Sequence, residues 1–334
     1  MRNAPTIRRA RALPALTALL LGALLALALG GCAGLGGDPI QALRVNDQSV
    51  SLAMFQRLVE IQKLGAANQG QTTAWQTPDG RANLASAQSN AYQFLEDVVL
   101  IHQDAARQHL TASNSDVLQQ ATALSDNING SLAQSPNSAS LKLLADAAKA
   151  AVTIAKQQKP SLGDLLERRA SMSEAVLVYA FQNADVKVLF AKGTVPAAHV
   201  RLIEVPTLKA ANDLKAQLEA KKVDFATYAK AHSLDTGTGA KGGEFGTFRV
   251  GEISQQTPEL DRAVFGPGAR YTAGTQYVVA KLTAGNAVVA EVTQRSNVPL
   301  AAITDQQTQN SVFGGWLDIV ARPGAQIEHD VASA

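Results

Sequence analysis

One cysteine, Cys32, stands at the end of an apolar run from about Leu13 to Leu29, and it decides where folding can begin. Arg2, Arg8, Arg9 and Arg11 precede the run, and Gly30 and Gly31 close it. A basic start, an apolar middle and a small-residue end describe an export signal with its cleavage site, so residues 1–31 are set apart from the folded chain. A lone cysteine forms no internal disulfide and no cysteine-based zinc cluster. The rest of the 334 residues exceed what one hydrophobic core usually organises, so two folded units are expected. Formal net charge is +2, with much of the positive charge in the signal, which argues against a nucleic-acid binder needing a basic face. No nucleic-acid partner is therefore expected.

Past a flexible tether at 32–41, Ala42-Leu43-Arg44-Val45 reads as a short strand, Asn46-Asp47-Gln48 as a turn, and Ser51 as the cap of an amphipathic helix through Leu52, Phe55, Leu58 and Val59. Residues 64–86 are polar and aperiodic, and read as a loop carrying the exposed Trp75. Tyr92, Leu95, Val98, Val99, Ala105 and Ala106 form the apolar face of a second helix. Ser113 with Asp116 three residues on signals the next, and the Ala-rich stretch 141–155, closed by Pro160, another. Ser161 opens a helix that spans Leu165, Leu166, Val176 and Leu177. His102 and His109 lie seven apart on a helix, but without carboxylates or cysteines at ligand spacing a solvated or core role outweighs metal binding.

At Val186 the texture changes. Lys187-Val188-Leu189-Phe190 and Ala198-His199-Val200-Arg201-Leu202-Ile203 are β-like, residues 208–228 are helical with Asp224 as a cap, and 236–246 is a glycine-rich loop. Strands are expected at 277–282 and 288–292, then a helix around Ile303, Val312, Trp316 and Leu317, then a short strand at 325–327. The fold class is α+β: a mainly helical region at 42–190, a compact antiparallel sheet flanked by helices at 195–290, and a tail at 291–334. Gly242-Gly243 lacks the Lys-Ser/Thr ending and the strand-to-helix context of a phosphate loop.

Leu29-Gly30-Gly31-Cys32 resembles the lipobox of bacterial lipoproteins, which implies acylation of Cys32 and a membrane-held, exported chain. Two acyl chains suffice for a stable hold, since each buried methylene contributes about 0.8 kcal/mol and one chain alone is marginal. A plain secretory signal with an incidental cysteine, or an uncleaved anchor, stays open beside it.

Five ordered pieces then resemble parvulin-type prolyl isomerases. These are Ala197-Ala198-His199-Val200-Arg201-Leu202-Ile203, the helical Asp224-Phe225-Ala226-Thr227-Tyr228-Ala229, Ser233-Leu234-Asp235, Gly242-Gly243-Glu244-Phe245-Gly246-Thr247-Phe248, and the succession Gly251, Ile253, Leu260, Ala263, Phe265. The resemblance implies an apolar proline pocket of Phe245, Ile253 and Leu260 over a polar floor of His199, Asp235 and Thr272. Leu260 replaces the usual aromatic. The family's second histidine, in a Gly-x-His-Ile-Ile strand, is placed at Tyr277, whose hydroxyl is expected to bond His199. Residues 42–60 and 92–124 resemble the helical chaperone region of SurA- and PrsA-like foldases, with Val45-Asn46-Asp47 for their Val-Asn-Gly. In those foldases a helix after the isomerase domain rejoins the N-terminal helices, a role implied for residues 300–320; a lineage-specific helical bundle stays an alternative for the first half.

Rotation about an X-Pro bond breaks amide resonance, with a barrier of about 18–20 kcal/mol and relaxation over tens of seconds or more. Favouring the twisted amide needs no metal, nucleophile or cofactor. The implied partners are unfolded or proline-containing exported polypeptides, and the implied function is an extracytoplasmic isomerase and chaperone. The substituted second histidine leaves a peptide-binding module without turnover as the alternative. Dimerisation is open.

Overall fold

The computed structural model describes residues 40–68, 74–168, 170–255, 257–267, 269 and 274–330. The export signal, Cys32, most of the tether and Thr272 lie outside the described residues. The described chain divides into two compact units, one reaching to Ala191 and taking in the residues from Ala325 onward, the other spanning Lys192–Gly324.

In the first unit β1 (Gln41–Val45) and β2 (Gln48–Ser51) form an antiparallel hairpin. Its turn places Asn46 at φ 55°, a left-handed conformation that asparagine adopts more readily than most side chains. The Asn46 side chain then bonds Gln103 at 2.7 Å and accepts from the Gln326 amide at 2.9 Å. Ser51 Oγ accepts from the Met54 amide and starts α1 (Leu52–Asn68). The first half of the expected loop at 64–86 is thus shortened by helix. Its second half is shortened too, because α2 runs Pro78–Arg107. Thr77 caps that helix through the Gly80 amide at 3.1 Å, and Pro78 sits where a missing N–H costs nothing.

The expected face of α2 is buried except at Ala106, which is exposed: Tyr92, Leu95, Val98, Val99 and Ala105 are at most 7% exposed, and Tyr92 meets Phe55 at 4.2 Å. α3 (Asn114–Gln134) begins at a reciprocal capping box of Ser113 and Asp116, and α4 (Ala139–Gln157) packs beside it. α5 (Leu162–Glu167), capped by Ser161, and α6 (Met172–Lys192), opened by Ser171 and Glu174, replace the single expected helix. α6 also replaces the strand expected at 187–190. It is buried around its circumference from Ala175 to Phe181 and shows no amphipathic period there, while at 187–190 an exposed Lys187 beside a buried Leu189, with the β-prone Val188 and Phe190, imitates a strand. His102 has a structural place: its Nδ1 lies 2.7 Å from Asp185, which is 1% exposed and also accepts from the Ala112 amide. Lys63 Nζ stands 4.8 Å from the Trp75 ring.

The unit is closed by β7 (Ile327–His329), which pairs antiparallel with β1. His329 stacks on Tyr92 at 4.5 Å and bonds Glu96 at 2.9 Å.

The second unit holds a four-stranded antiparallel sheet in the order β4-β3-β6-β5, from β3 (Thr194–Val205), β4 (Glu244–Arg249), β5 (Gln276–Lys281) and β6 (Ala287–Pro299). β6 is longer than expected, because its polar end, Thr293–Asn297, pairs with the start of β3. α7 (Leu208–Glu219) and α8 (Phe225–His232) cover one face through Leu214, Leu218, Phe225 and Ala229 on Ile203, Val205, Ala287 and Val289. Burying each large apolar side chain contributes roughly 1.5–3 kcal/mol. Asp224 caps α8 as expected, accepting from the Thr227 amide at 2.8 Å.

α10 (Pro258–Phe265) packs on β5 and β6. α11 (Gln306–Trp316) packs on Val250-Gly251, where a Cβ on Gly315 would come within 2.3 Å of Gly251 Cα. The tail helix expected to rejoin the N-terminal helices therefore belongs to the sheet unit, and strand β7 makes the return. Trp316, 4% exposed, anchors α11 as a core residue.

Candidate functional site

Side chains alternate across a strand, so register decides which expected site residues share a face. His199 pairs with Thr247 on β4 and Thr293 on β6. Its Nδ1 lies 3.2 Å from Thr247 Oγ1, and its Nε2 lies 3.2 Å from Glu244 Oε1. Two residues on, Arg201 pairs with Glu291, which pairs with Tyr277 on β5. These residues occupy the face that continues into Ile203 and Val205 beneath α7 and α8.

Tyr277 donates its hydroxyl to Glu291 at 3.3 Å instead of bonding His199 as expected. Burial, followed by the Glu291 charge, raises the Tyr277 phenol above its usual pKa. Glu291 in turn takes Arg201 at 2.5 Å. The two polar residues expected to meet are held apart by charged neighbours.

Phe245 belongs to the other side. Its ring meets Phe248 at 4.6 Å, and Phe248 pairs with Ala198, one residue out of step with His199. Ile253 and Leu260 are 2% and 1% exposed, closed within the unit. Phe248 and the His199 side chain thus lie on opposite faces of the sheet at β3 and β4, and Phe245, at the register shift in β4, packs its ring on Phe248.

Asp235 stands at the rim, where its carboxylate accepts from the Gly237 amide at 3.0 Å and from Thr238 Oγ1 at 2.6 Å, capping the short α9 (Thr236–Gly239). Ser233 Oγ accepts from the Glu204 amide and fastens the same loop to β3. The loop reaches β4 through Gly242 and Gly243, at φ 71° and 87°. At Gly243 a Cβ would stand 2.8 Å from both Leu202 O and the Phe225 ring, so only glycine fits.

Among the described residues no group of three His, Cys, Asp or Glu is placed to hold a metal ion, and no helix is long and apolar enough to cross a membrane.

Residues 203–268 match the family profile described as Rotamase, the PPIC-type PPIASE domain. The chain carries a parvulin-type rotamase domain. The matched stretch of this rotamase domain contains Asp235, Phe245, Ile253 and Leu260, and it begins four residues after His199 and ends before Thr272 and Tyr277. Among solved structures the chain is similar to the crystal structure of foldase protein PrsA from Streptococcus pneumoniae str. Canada MDR_19A. Identity is 15% over 68% of this chain and 77% of that chain, with a TM-score of 0.29. None of the curated proteins matches the chain.

Sequence reading missed Arg201, Glu244, Thr247 and Glu291. The available signal was a charged residue inside an otherwise apolar strand, in Val200-Arg201-Leu202 and in Ala290-Glu291-Val292. Buried charges of this kind are rare unless paired.

Proposed function

We propose that this chain is an extracytoplasmic peptidyl-prolyl cis-trans isomerase and chaperone that assists the folding of exported proteins, held at a membrane through acyl groups on Cys32. The match of residues 203–268 to the rotamase domain carries the reading. Its substrates are proline-containing segments of unfolded polypeptides. In this proposal the half-buried Phe245–Phe248 pair offers an aromatic surface to the proline ring, and Asp235 supplies the polar rim. The reaction needs no covalent step, because stabilising the twisted amide over the planar one is sufficient for turnover. Ile253 and Leu260 act as the packed support behind the aromatic pair, and Thr272 remains a proposed floor residue by resemblance. The signal preceding Cys32 and the lipobox-like tetrad support export and anchoring; a Cys32→Ser chain recovered from the membrane fraction as fully as the wild type would refute the anchor.

One observation favours a second reading, a holdase or assembly factor that binds peptides without turnover. His199 and Tyr277 are engaged by Glu244, Thr247 and Glu291, and so do not form a pair with each other. A single client whose refolding is limited by proline isomerisation separates the readings. A foldase accelerates its slow phase, and a holdase suppresses its aggregation while leaving that phase unchanged. A folded protein that does neither removes both.

A further inference from the structure

Arg201 joins the sheet floor to the glycine turn that leads into β4. Its Nη1 donates to Glu291 at 2.5 Å and its Nη2 donates to the Gly242 carbonyl at 2.9 Å, while the guanidinium lies 4.8 Å from the Phe225 ring centroid. Both ends of this bridge continue. On the strand side Glu291 also accepts the Tyr277 hydroxyl, so one carboxylate ties three strands. On the loop side, Gly243 donates its amide to the Thr238 carbonyl at 2.9 Å, and Thr238 Oγ1 donates to Asp235. A continuous chain of hydrogen bonds therefore runs from Tyr277 to Asp235 with Arg201 at its centre.

We infer that Arg201 is a positioning residue for the peptide site. It sets the conformation of the 236–246 loop and so the approach of Asp235 and Phe245 to a bound proline segment. The planar fork of arginine is required, because one arm neutralises Glu291 while the other reaches a carbonyl, and a lysine ammonium on a single stem does not reproduce that fixed fork. Glycines at 242 and 243 make the arm necessary. The turn has no side chain of its own with which to hold itself to the sheet, and its left-handed conformation is populated among many that glycine can adopt. The inference rests on the peptide-binding function proposed above.

The test compares wild type, Arg201→Gln and Arg201→Lys by hydrogen exchange, thermal unfolding and fluorescence titration with an unfolded, proline-rich peptide. Arg201→Gln is expected to accelerate exchange across residues 236–246 while leaving β5 and β6 protected. It is also expected to weaken the peptide roughly tenfold, the equivalent of one hydrogen bond to a charged group. Arg201→Lys keeps the charge beside Glu291 and is expected to recover most of the melting temperature but not the peptide affinity or the loop protection. That split distinguishes positioning from general stability. Unchanged exchange in the loop of a folded Arg201→Gln protein overturns the inference, as does an affinity that returns fully with stability in Arg201→Lys. A wild type that binds no proline peptide removes the proposed function, and loop exchange then still decides whether Arg201 sets the loop.

Discussion

Tyr277 and Glu291 face each other across β5 and β6, the phenol hydroxyl donating to the carboxylate at 3.3 Å. The contact directs the Tyr277 hydroxyl to Glu291, the partner of Arg201, and not to His199 on the same face. Tyr277→Phe removes one hydrogen bond to a charged acceptor while leaving the Arg201–Glu291 pair, so a stability loss of about 1.5–3 kcal/mol is the upper expectation. Prolyl isomerisation should be unchanged. Denaturant unfolding beside a peptide exchange assay checks both, and a large loss of turnover in a stable variant would put Tyr277 back in the site.

Alkaline pH should loosen the fold through three tyrosines. Burial is the first cause raising Tyr92, Tyr179 and Tyr277 above the ordinary 10.0. A folded-state pKa above the unfolded one means that stability is fully present below pH 10.0 and is lost as the pH climbs through the raised values. Phenolate absorbance of these residues is expected to appear together with loss of near-ultraviolet dichroism. Titration of all three at the ordinary value in a still-folded protein would refute the burial.

Asp261 is fully buried on α10, where one carboxylate oxygen accepts from the Ser254 amide at 2.8 Å and desolvation raises its pKa. Its favourable contribution is complete below the ordinary 3.8 and lost as pH rises through the raised value. Asp261→Asn removes the charge and keeps a carbonyl for Ser254. It should stabilise the rotamase unit near neutral pH, with the advantage shrinking as the solution is acidified. Melting temperature across a pH series reads this directly, and a pH-independent difference would contradict it.

Gly243→Ala meets two obstacles, a backbone at φ 87° and a Cβ only 2.8 Å from Leu202 O and the Phe225 ring. A strained residue of this kind costs roughly 1–3 kcal/mol before the clash is added. The variant should melt well below wild type in the sheet unit and bind peptide weakly. An unaltered melting temperature would show that the turn is not held as described.

His329→Ala tests the return of the tail. It deletes the stack on Tyr92 and the bond to Glu96, groups otherwise distant in sequence, and is expected to cost about 1–3 kcal/mol in the first unit. Unfolding followed by helical dichroism measures it. A neutral result would mean that strand pairing alone secures β7.

Helix caps were the most legible part of the sequence, because Ser51, Ser113, Ser161 and Asp224 each act on the amide three residues on. The α+β order of the rotamase unit was legible too, through β-like runs at 198–203, 277–282 and 288–292 around a helical stretch at 208–228. Less legible were features fixed by distant partners. α6 hid its period because every side of it is buried. Thr77-Pro78 marked a helix start inside what reads as a polar loop. The expected site joined His199 to Phe245 by family resemblance, whereas the register pairs His199 with Thr247 and Ala198 with Phe248, the ring on which Phe245 packs. Register of that kind is a property of two strands, and neither strand states it alone.

The most direct test of the account is an X-Pro peptide isomerisation assay on the purified protein, with Phe245→Ala and Tyr277→Phe in parallel. The account predicts that wild type accelerates exchange, that Phe245→Ala loses the acceleration while remaining folded, and that Tyr277→Phe keeps it. No acceleration by a folded wild-type protein would contradict the isomerase assignment.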